Sequence, residues 1–205
     1  MKKVFCIGAN KTGTTSLAAF FRAHGYTVGD QAAGERLFAD RAAPDYRERV
    51  IASAATADFF QDLPFSGDDS YTFLAEAYPR AKFILTKRSS ADAWYRSLTV
   101  YHAKKFGNGT EPPTAEMLKK ATYRYPGFMW DANRALYPSP PEDPYRKSDL
   151  TAWYEDRIKA ARNFFSGKER YLEIEIEDPA AAKKIADFAG FEARLPILPH
   201  LNRNE

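Results

Sequence analysis

The stretch Gly8–Ser16 constrains the fold most, because a loop rich in glycine and threonine lies between an apolar segment and a helical one. Residues 3–7 have the composition of a short buried strand, and the helical pattern over 17–24 is closed by Gly25. The start of a helix offers backbone N–H groups and the positive end of the helix dipole to an anion. Lys11 adds a full positive charge. Hydroxyl donors come from Thr12, Thr14, Thr15 and Ser16. The loop therefore predicts a phosphate-binding site.

Apolar strand patterns and helical patterns alternate along the rest of the chain. Further strands are predicted at 58–61, 82–86 and 170–176, and helices at 45–55, 70–77, 91–104, 150–165 and from Asp178-Pro179 to Gly190, with part of 114–137 helical. This alternation predicts an α/β fold, a three-layer sandwich with a central, mostly parallel sheet. Ligands of such sheets bind at the carboxyl ends of the strands. Because Lys11, Asp62 and Arg88 each follow a predicted strand, we expect them at one edge of the sheet.

Length and composition narrow the class of protein. The 205 residues suit a single domain over 1–205, and a net charge of +3 argues against a nucleic-acid partner. The single cysteine, Cys6, lies in the first predicted strand and is expected in the core. No apolar run approaches the ~20 residues needed to span a membrane, and the apolar stretch after Met1-Lys-Lys is too short for a signal peptide. We therefore expect a cytoplasmic protein, and the spacing of its His and Cys residues predicts no metal site.

The loop differs from the P-loop of enzymes that use ATP or GTP. Gly8 and Gly13 have the separation of the pattern G-x-x-x-x-G-K-[ST], but Thr14 stands in place of its lysine and Lys11 lies inside the loop. Lys11-Thr-Gly-Thr-Thr-Ser16 resembles instead the 5′-phosphosulfate loop of the sulfotransferases that use 3′-phosphoadenosine 5′-phosphosulfate (PAPS). The resemblance implies a P-loop-like sulfotransferase fold. It assigns donor binding to Asn10, Lys11, Thr12, Gly13, Thr14, Thr15 and Ser16.

A second segment, Phe83–Ser97, resembles the 3′-phosphate motif of the same family. In that motif an Arg at the end of a strand and a Ser on the following helix hold the 3′-phosphate, and Arg88 and Ser97 match them. The planar guanidinium of Arg suits phosphate oxygens. A donor with phosphates at both the 5′ and 3′ positions needs two such sites, whereas a kinase needs one continuous site for a triphosphate. The family's Arg-Lys-Gly segment is absent here, and Lys104 or Arg203 is the candidate replacement.

Asp62-Leu-Pro64 matches the segment that supplies the catalytic base in this family, with Asp in place of the His of cytosolic members. The resemblance gives Asp62 the role of base and gives Lys11 the role of stabilising the leaving group. Asp30 and His102 are rival bases, and Asp30 is also an expected substrate contact. The aromatic-rich region 101–137 is the expected wall of the acceptor pocket, with Tyr101, His102 and Phe128 as substrate contacts. We expect 105–148 to be an insertion of helix and loop on the acceptor side.

Three functions stay open on the sequence. The first is a PAPS-dependent sulfotransferase acting on a hydroxyl or amine of a small molecule or glycan, with PAP as the second product and no metal required. The second is a P-loop-type nucleotide or metabolite kinase, against which the missing Gly-Lys-Ser/Thr argues. The third is a module that binds PAP or a similar nucleotide without turnover. The sequence predicts neither the identity of the acceptor nor the oligomeric state.

Overall fold

The computed structural model describes residues 2–67 and 69–199, and these form a four-stranded, all-parallel sheet with the strand order β2-β1-β3-β4. The strands are β1 Val4–Cys6, β2 Phe59–Phe60, β3 Lys82–Lys87 and β4 Tyr171–Glu175. The helices are α1 Thr14–Ala23, α2 Gln31–Leu37, α3 Tyr46–Ser53, α4 Ser70–Ala77, α5 Ala91–Phe106, α6 Ala115–Lys120, α7 Phe128–Leu136, α8 Lys147–Phe164 and α9 Ala181–Ala189, with short 3-10 turns at Phe38–Asp40 and Ala54–Thr56.

The described residues form two compact units. The first consists of residues 2–88 and 161–199 and contains the whole sheet, whereas the second consists of residues 89–160 and contains α5, α6, α7 and most of α8. Within the part of the chain that the structure describes, no helix combines the length and the apolar character that crossing a bilayer requires.

Helices cover the sheet of the first unit, as the alternating pattern predicts. Side chains of a strand point alternately to its two faces, so Val4 and Cys6 lie on one face of β1 and Phe5 on the other. On the first face, these two residues pack in one buried cluster with residues of α1 and α9. On the second face, the Phe5 ring lies 5.4–5.9 Å from four other aromatic rings, namely those of Phe60, Phe65, Tyr78 and Phe83. The predicted α/β fold with a parallel sheet is confirmed, and so is the core position of Cys6.

Register in the sheet brings the functional loops together. Phe5 of β1 pairs with Phe83 of β3 and with Phe60 of β2, in parallel in both cases. The carboxyl ends of β1, β2 and β3 therefore lie at one edge of the sheet, and the segments after them start there. Lys11, Asp62 and Arg88 lie in these three segments.

Three helices begin two or three residues away from their predicted starts. Helix α8 begins at Lys147 rather than at residue 150. Helix α1 begins at Thr14 rather than at residue 17, so the last residues of the loop form the first helical turn. The prediction that Asp178-Pro179 caps and starts the last helix is wrong, because α9 begins at Ala181. The Asp178 carboxylate instead accepts a hydrogen bond from the Ala180 N–H and forms an ion pair with Lys184. The predicted stop at Gly190 is confirmed, with a left-handed φ of 85°.

The second unit has its own aromatic core. The Trp94 ring on α5 is fully buried and stacks on Tyr154 of α8, with 4.5 Å between the ring centroids and 8° between the planes. Trp153 and Tyr137 pack on the same indole. The helix α5 begins as expected, since Ser90 Oγ accepts a hydrogen bond from the Ala93 N–H at 3.0 Å.

Candidate active site

The loop between β1 and α1 turns through two left-handed residues. Lys11 has a φ of 65° and Gly13 a φ of 86°. Gly13 is the N-cap of α1 and offers no side chain to the first turn, whose N–H groups have no acceptor within the helix itself. The N-terminus of α1 thus lies at the edge of the sheet where the strands have their carboxyl ends. Lys11 is half-buried beside it. This arrangement suits an anion in both charge and hydrogen-bond donors.

Threonine hydroxyls fasten the loop to the neighbouring strand. Thr12 is fully buried, and its Oγ1 donates a hydrogen bond to the Ala9 carbonyl oxygen at 2.5 Å. Thr86 of β3 has its Oγ1 2.7 Å from Thr12 Oγ1. Because a hydroxyl carries a single hydrogen, Thr86 is the donor in this second bond. The Thr12 hydroxyl therefore stabilises the conformation of the loop. Thr12 can contribute to anion binding through its backbone N–H.

Two glycines allow the loop to approach its neighbours closely. A Cβ at Gly8 would lie 2.1 Å from Thr86 Oγ1 and 2.6 Å from the Thr86 carbonyl oxygen. A Cβ at Gly13 would lie 2.5 Å from Cγ1 of Ile176, which follows β4. Both positions exclude a methyl group, because real Cβ atoms essentially never approach other heavy atoms below 3.0 Å. The loop is held between β3 and the segment that leaves β4.

Asp62 lies beside the first turn of α1. It follows β2, has a left-handed φ of 55°, and is only 9% exposed. The Thr14 hydroxyl donates to Asp62 Oδ1 with 3.1 Å between the oxygens. The structure thus brings the predicted base into contact with the predicted phosphate loop. Gln61, the residue before it, is also buried, and its Oε1 has no hydrogen-bond partner among the described residues.

Arg88 reaches back from the end of β3 to the loop. Its Nε donates to the Lys11 carbonyl oxygen at 2.9 Å, and its Nη1 forms an ion pair with the carboxylate of Glu177. The guanidinium is therefore adjacent to the main chain of the phosphate loop. A cation at the end of β3 thus contacts the loop that follows β1, and both lie at the carboxyl edge of the sheet.

Asp30, the rival base in the first unit, has a local role. It is the N-cap of α2, where its Oδ1 accepts a hydrogen bond from the Ala33 N–H at 3.1 Å. Its side chain is exposed. These contacts account for an Asp at this position through helix capping.

The remaining predicted residues belong to the second unit. Ser97 and His102 are buried on α5, and Tyr101 lies between them in sequence. His102 Nδ1 is 2.6 Å from the hydroxyl of Tyr145. Burial raises the pKa of Tyr145 well above its usual value, so its phenol stays neutral beside the imidazole. His102 thus belongs to a buried hydrogen-bonded pair within its own unit.

Phe128 begins α7 and is buried in an aromatic group of the second unit. Its ring centroid lies 5.8 Å from that of Tyr123 and 5.4 Å from that of Tyr125. Lys105 also contacts this group, since its Nζ lies 4.4 Å from the Tyr123 ring centroid. The group is a packed set of aromatic rings with a lysine ammonium beside it.

Three residues at the loop escaped the sequence analysis. Thr86 lies in an apolar strand pattern, where a threonine is a common strand residue. Ile176 and Glu177 lie at the end of a predicted strand, and only the folded chain places them on Gly13 and Arg88. An acidic residue directly after a strand, at the edge that holds the phosphate loop, is the one signal that points to Glu177.

No group of three His, Cys, Asp or Glu side chains that could hold a metal ion occurs within residues 2–67 and 69–199. Of the two candidate replacements for the family's missing clamp, Lys104 is exposed on α5, and Arg203 lies outside the described residues.

Comparison with protein-family models assigns the chain. A search of curated proteins finds no significant match. The model described as a sulfotransferase domain matches residues 3–205. The match includes the phosphate loop, the segment of Asp62 and the β3 segment that ends at Arg88. The chain therefore belongs to the sulfotransferase domain family, whose members transfer sulfuryl groups.

Proposed function

We propose that this protein transfers the sulfuryl group of PAPS to a hydroxyl or amine of a small molecule or glycan and releases PAP. The contact between Arg88 Nε and the Lys11 carbonyl oxygen carries the proposal. It places the proposed 3′-phosphate site at Arg88 next to the proposed 5′-phosphosulfate loop. In PAP the 5′-phosphate and the 3′-phosphate are attached to the same ribose. A ligand of that kind needs two neighbouring anion sites, and a nucleoside triphosphate does not.

Donor binding is assigned to the two elements separately. Residues 10–16 hold the 5′-phosphosulfate through loop N–H groups, the α1 N-terminus and the Lys11 ammonium. Arg88 holds the 3′-phosphate, together with Ser97. The left-handed φ of Gly13 at the N-cap of α1 supports this assignment, because a glycine there leaves the N–H groups of the first turn without a side-chain cap.

The proposed reaction is an in-line displacement at sulfur. The acceptor oxygen or nitrogen forms a bond to sulfur while the bond from sulfur to the bridging oxygen of the 5′-phosphate breaks, and PAP leaves with that electron pair. Lys11 stabilises the negative charge that grows on the bridging oxygen. Asp62 takes the acceptor proton, and the hydrogen bond from Thr14 holds its carboxylate at the loop.

The acceptor contacts are assigned to the aromatic-rich region 101–137. Tyr101, His102 and Phe128 and the aromatic rings near them are the proposed acceptor contacts, and 105–148 is the proposed acceptor-side insertion within a single domain over 1–205. Rings of this kind stack on phenols and sugars, which leaves small molecules and glycans as the acceptor classes.

Calorimetry separates this proposal from its two alternatives. We expect PAP to bind in the absence of Mg²⁺, and ATP and GTP with Mg²⁺ to bind far more weakly. Incubation with ³⁵S-labelled PAPS and a panel of phenols, amines and glycans should then transfer label to at least one of them. Tight binding of ATP with Mg²⁺ and none of PAP would indicate a kinase. Binding of PAP without transfer to any acceptor would indicate a binding module.

A further inference from the structure

The segment that leaves β4 lies over the phosphate loop and carries a carboxylate to Arg88. The Ile176 N–H donates to the Lys87 carbonyl oxygen at 3.3 Å, which continues the pairing of β3 with β4. The side chain of Ile176 packs on Gly13. Glu177, the next residue, is thereby placed against the guanidinium of Arg88. Backbone pairing and packing both fix this position.

The ion pair occupies the group that the ligand phosphate needs. An arginine binds phosphate through two parallel N–H groups of its fork. In Arg88 the chain itself engages Nε with Lys11 and Nη1 with Glu177. A phosphate that takes two parallel bonds from the end of the guanidinium competes with Glu177 for Nη1.

The ion pair between Arg88 and Glu177 is exposed enough for a phosphate to replace the carboxylate. The side chains of Arg88 and Glu177 are 26% and 46% exposed. Pairs of this exposure contribute little to stability because water and salt screen them. A phosphate carries up to two negative charges and three acceptor oxygens, so it can displace one carboxylate, at a cost in affinity that Glu177 sets.

We propose that Glu177 competes with the 3′-phosphate of the nucleotide for Arg88, and so lowers the affinity for PAP and speeds its release. This inference rests on the proposed function, since it assumes that Arg88 binds a 3′-phosphate. Glu177 is a residue that sets affinity and contacts neither the sulfuryl group nor the acceptor. Product release limits the rate of many transferases, so weaker PAP binding favours turnover.

Glu177→Gln tests the competition, and Glu175→Gln is the matched control. Glu175 lies two residues earlier, is 43% exposed, and pairs with Lys87 at 3.4 Å instead of with Arg88. Both variants remove one negative charge from the same edge. Calorimetry compares PAP with adenosine 5′-phosphate, which lacks the 3′-phosphate.

We expect Glu177→Gln to tighten PAP binding about three- to tenfold, from the loss of one close like charge, and to leave adenosine 5′-phosphate within about twofold. Glu175→Gln should change either affinity by less than about twofold. In an Arg88→Gln background the effect of Glu177→Gln on PAP should disappear.

Three results would overturn the inference. Weaker PAP binding in Glu177→Gln would make Glu177 a residue that positions Arg88. Equal affinity would mean that the ion pair does not compete. If PAP and adenosine 5′-phosphate both bind more tightly by the same factor, the cause is the change in net charge of the site and not competition for the 3′-phosphate. If the wild-type protein binds no PAP, the proposed function fails first, and this inference fails with it.

Discussion

Thr14 donates a hydrogen bond to the carboxylate of Asp62 and so joins the first turn of α1 to the turn after β2. The two residues are 48 positions apart in sequence, and each follows a different strand of the sheet. The loop that is proposed to bind the sulfuryl donor thus also contacts the carboxylate of the proposed base.

Asp62→Asn should abolish most of the turnover and preserve donor binding. The amide oxygen can still accept the Thr14 hydrogen bond, but the amide cannot take up a proton. We expect kcat to fall about 10²- to 10⁴-fold, the usual contribution of a positioned base, with the Kd for PAP within about threefold. Steady-state kinetics and calorimetry measure the two quantities. Asp30→Asn is the control, since Asn caps helices as well as Asp does, and it should retain wild-type kcat. An active Asp62→Asn with an inactive Asp30→Asn would reverse the assignment.

Lys11→Ala separates a catalyst from a binding module. If Lys11 stabilises the leaving group, kcat should fall about 10²- to 10³-fold, while the affinity for PAP falls much less. Lys2→Ala, which removes an exposed lysine near the start of the chain, should change neither value. Equal losses in rate and in affinity would contradict a role in the chemical step.

Much of the site can be predicted from local sequence, because its signals are local. A strand, a glycine and threonine loop, and a helix start are contiguous, and parallel strands necessarily place Lys11, Asp62 and Arg88 at one edge. The pattern does not predict that α1 begins at Thr14, because the residues from Thr14 to Ser16 are themselves typical of loops. Thr and Ser hydrogen-bond readily to nearby backbone, which favours caps and turns, so the pattern alone favoured a loop up to Ser16.

The contacts that hold the loop could not be predicted. Gly8 and Gly13 indicate a turn or a close approach, but nothing in the pattern says which side chain comes close. Thr86 and Ile176 do so across 78 and 163 positions of sequence, through strand pairing whose register depends on the whole fold. The pairing of Arg88 with Glu177 depends on the same register.

Gly13→Ala should destabilise the protein more than Gly25→Ala. Both glycines have a positive φ, at 86° and 79°, so both variants suffer the left-handed strain of about 1 kcal/mol. Only position 13 adds a clash, since a Cβ there meets Ile176 and one at position 25 meets nothing within 4 Å. We expect Gly13→Ala to lose about 1–3 kcal/mol beyond the loss in Gly25→Ala. Urea unfolding measures the loss of stability in both variants. Equal losses would contradict the prediction, because they would mean that the side chain of Ile176 moves aside without loss of stability.

Asp58 should contribute a stability that acid removes. The Thr27 hydroxyl and the Thr27 N–H both donate to Asp58 Oδ2, at 2.5 and 3.0 Å. These hydrogen bonds, the hydroxyl first, hold the pKa of Asp58 below its ordinary value despite partial desolvation. A lowered pKa stabilises the folded state above the unfolded-state pKa of about 4, and the contribution is lost as the pH falls through the lower folded-state value.

Asp58→Asn should therefore unfold at a lower urea concentration than the wild type at pH 7, with the difference shrinking below about pH 4. Asp45→Asn is the control, since the Asp45 side chain makes no capping bond to α3. It should unfold at the urea concentration of the wild type at pH 7. A difference for Asp58→Asn that stays constant down to about pH 2 would mean that the carboxylate charge is irrelevant to these hydrogen bonds.

The packing of Ile176 on Gly13 has a consequence during biosynthesis. The ribosome makes the loop and β3 before it makes the strand that pairs with β3 and the isoleucine that covers the loop, which lie at residues 171–176. Until then β3 is an edge strand with apolar side chains and unpaired backbone groups. A nascent chain that lacks residues 171–176 would thus expose a strand edge able to pair with other chains.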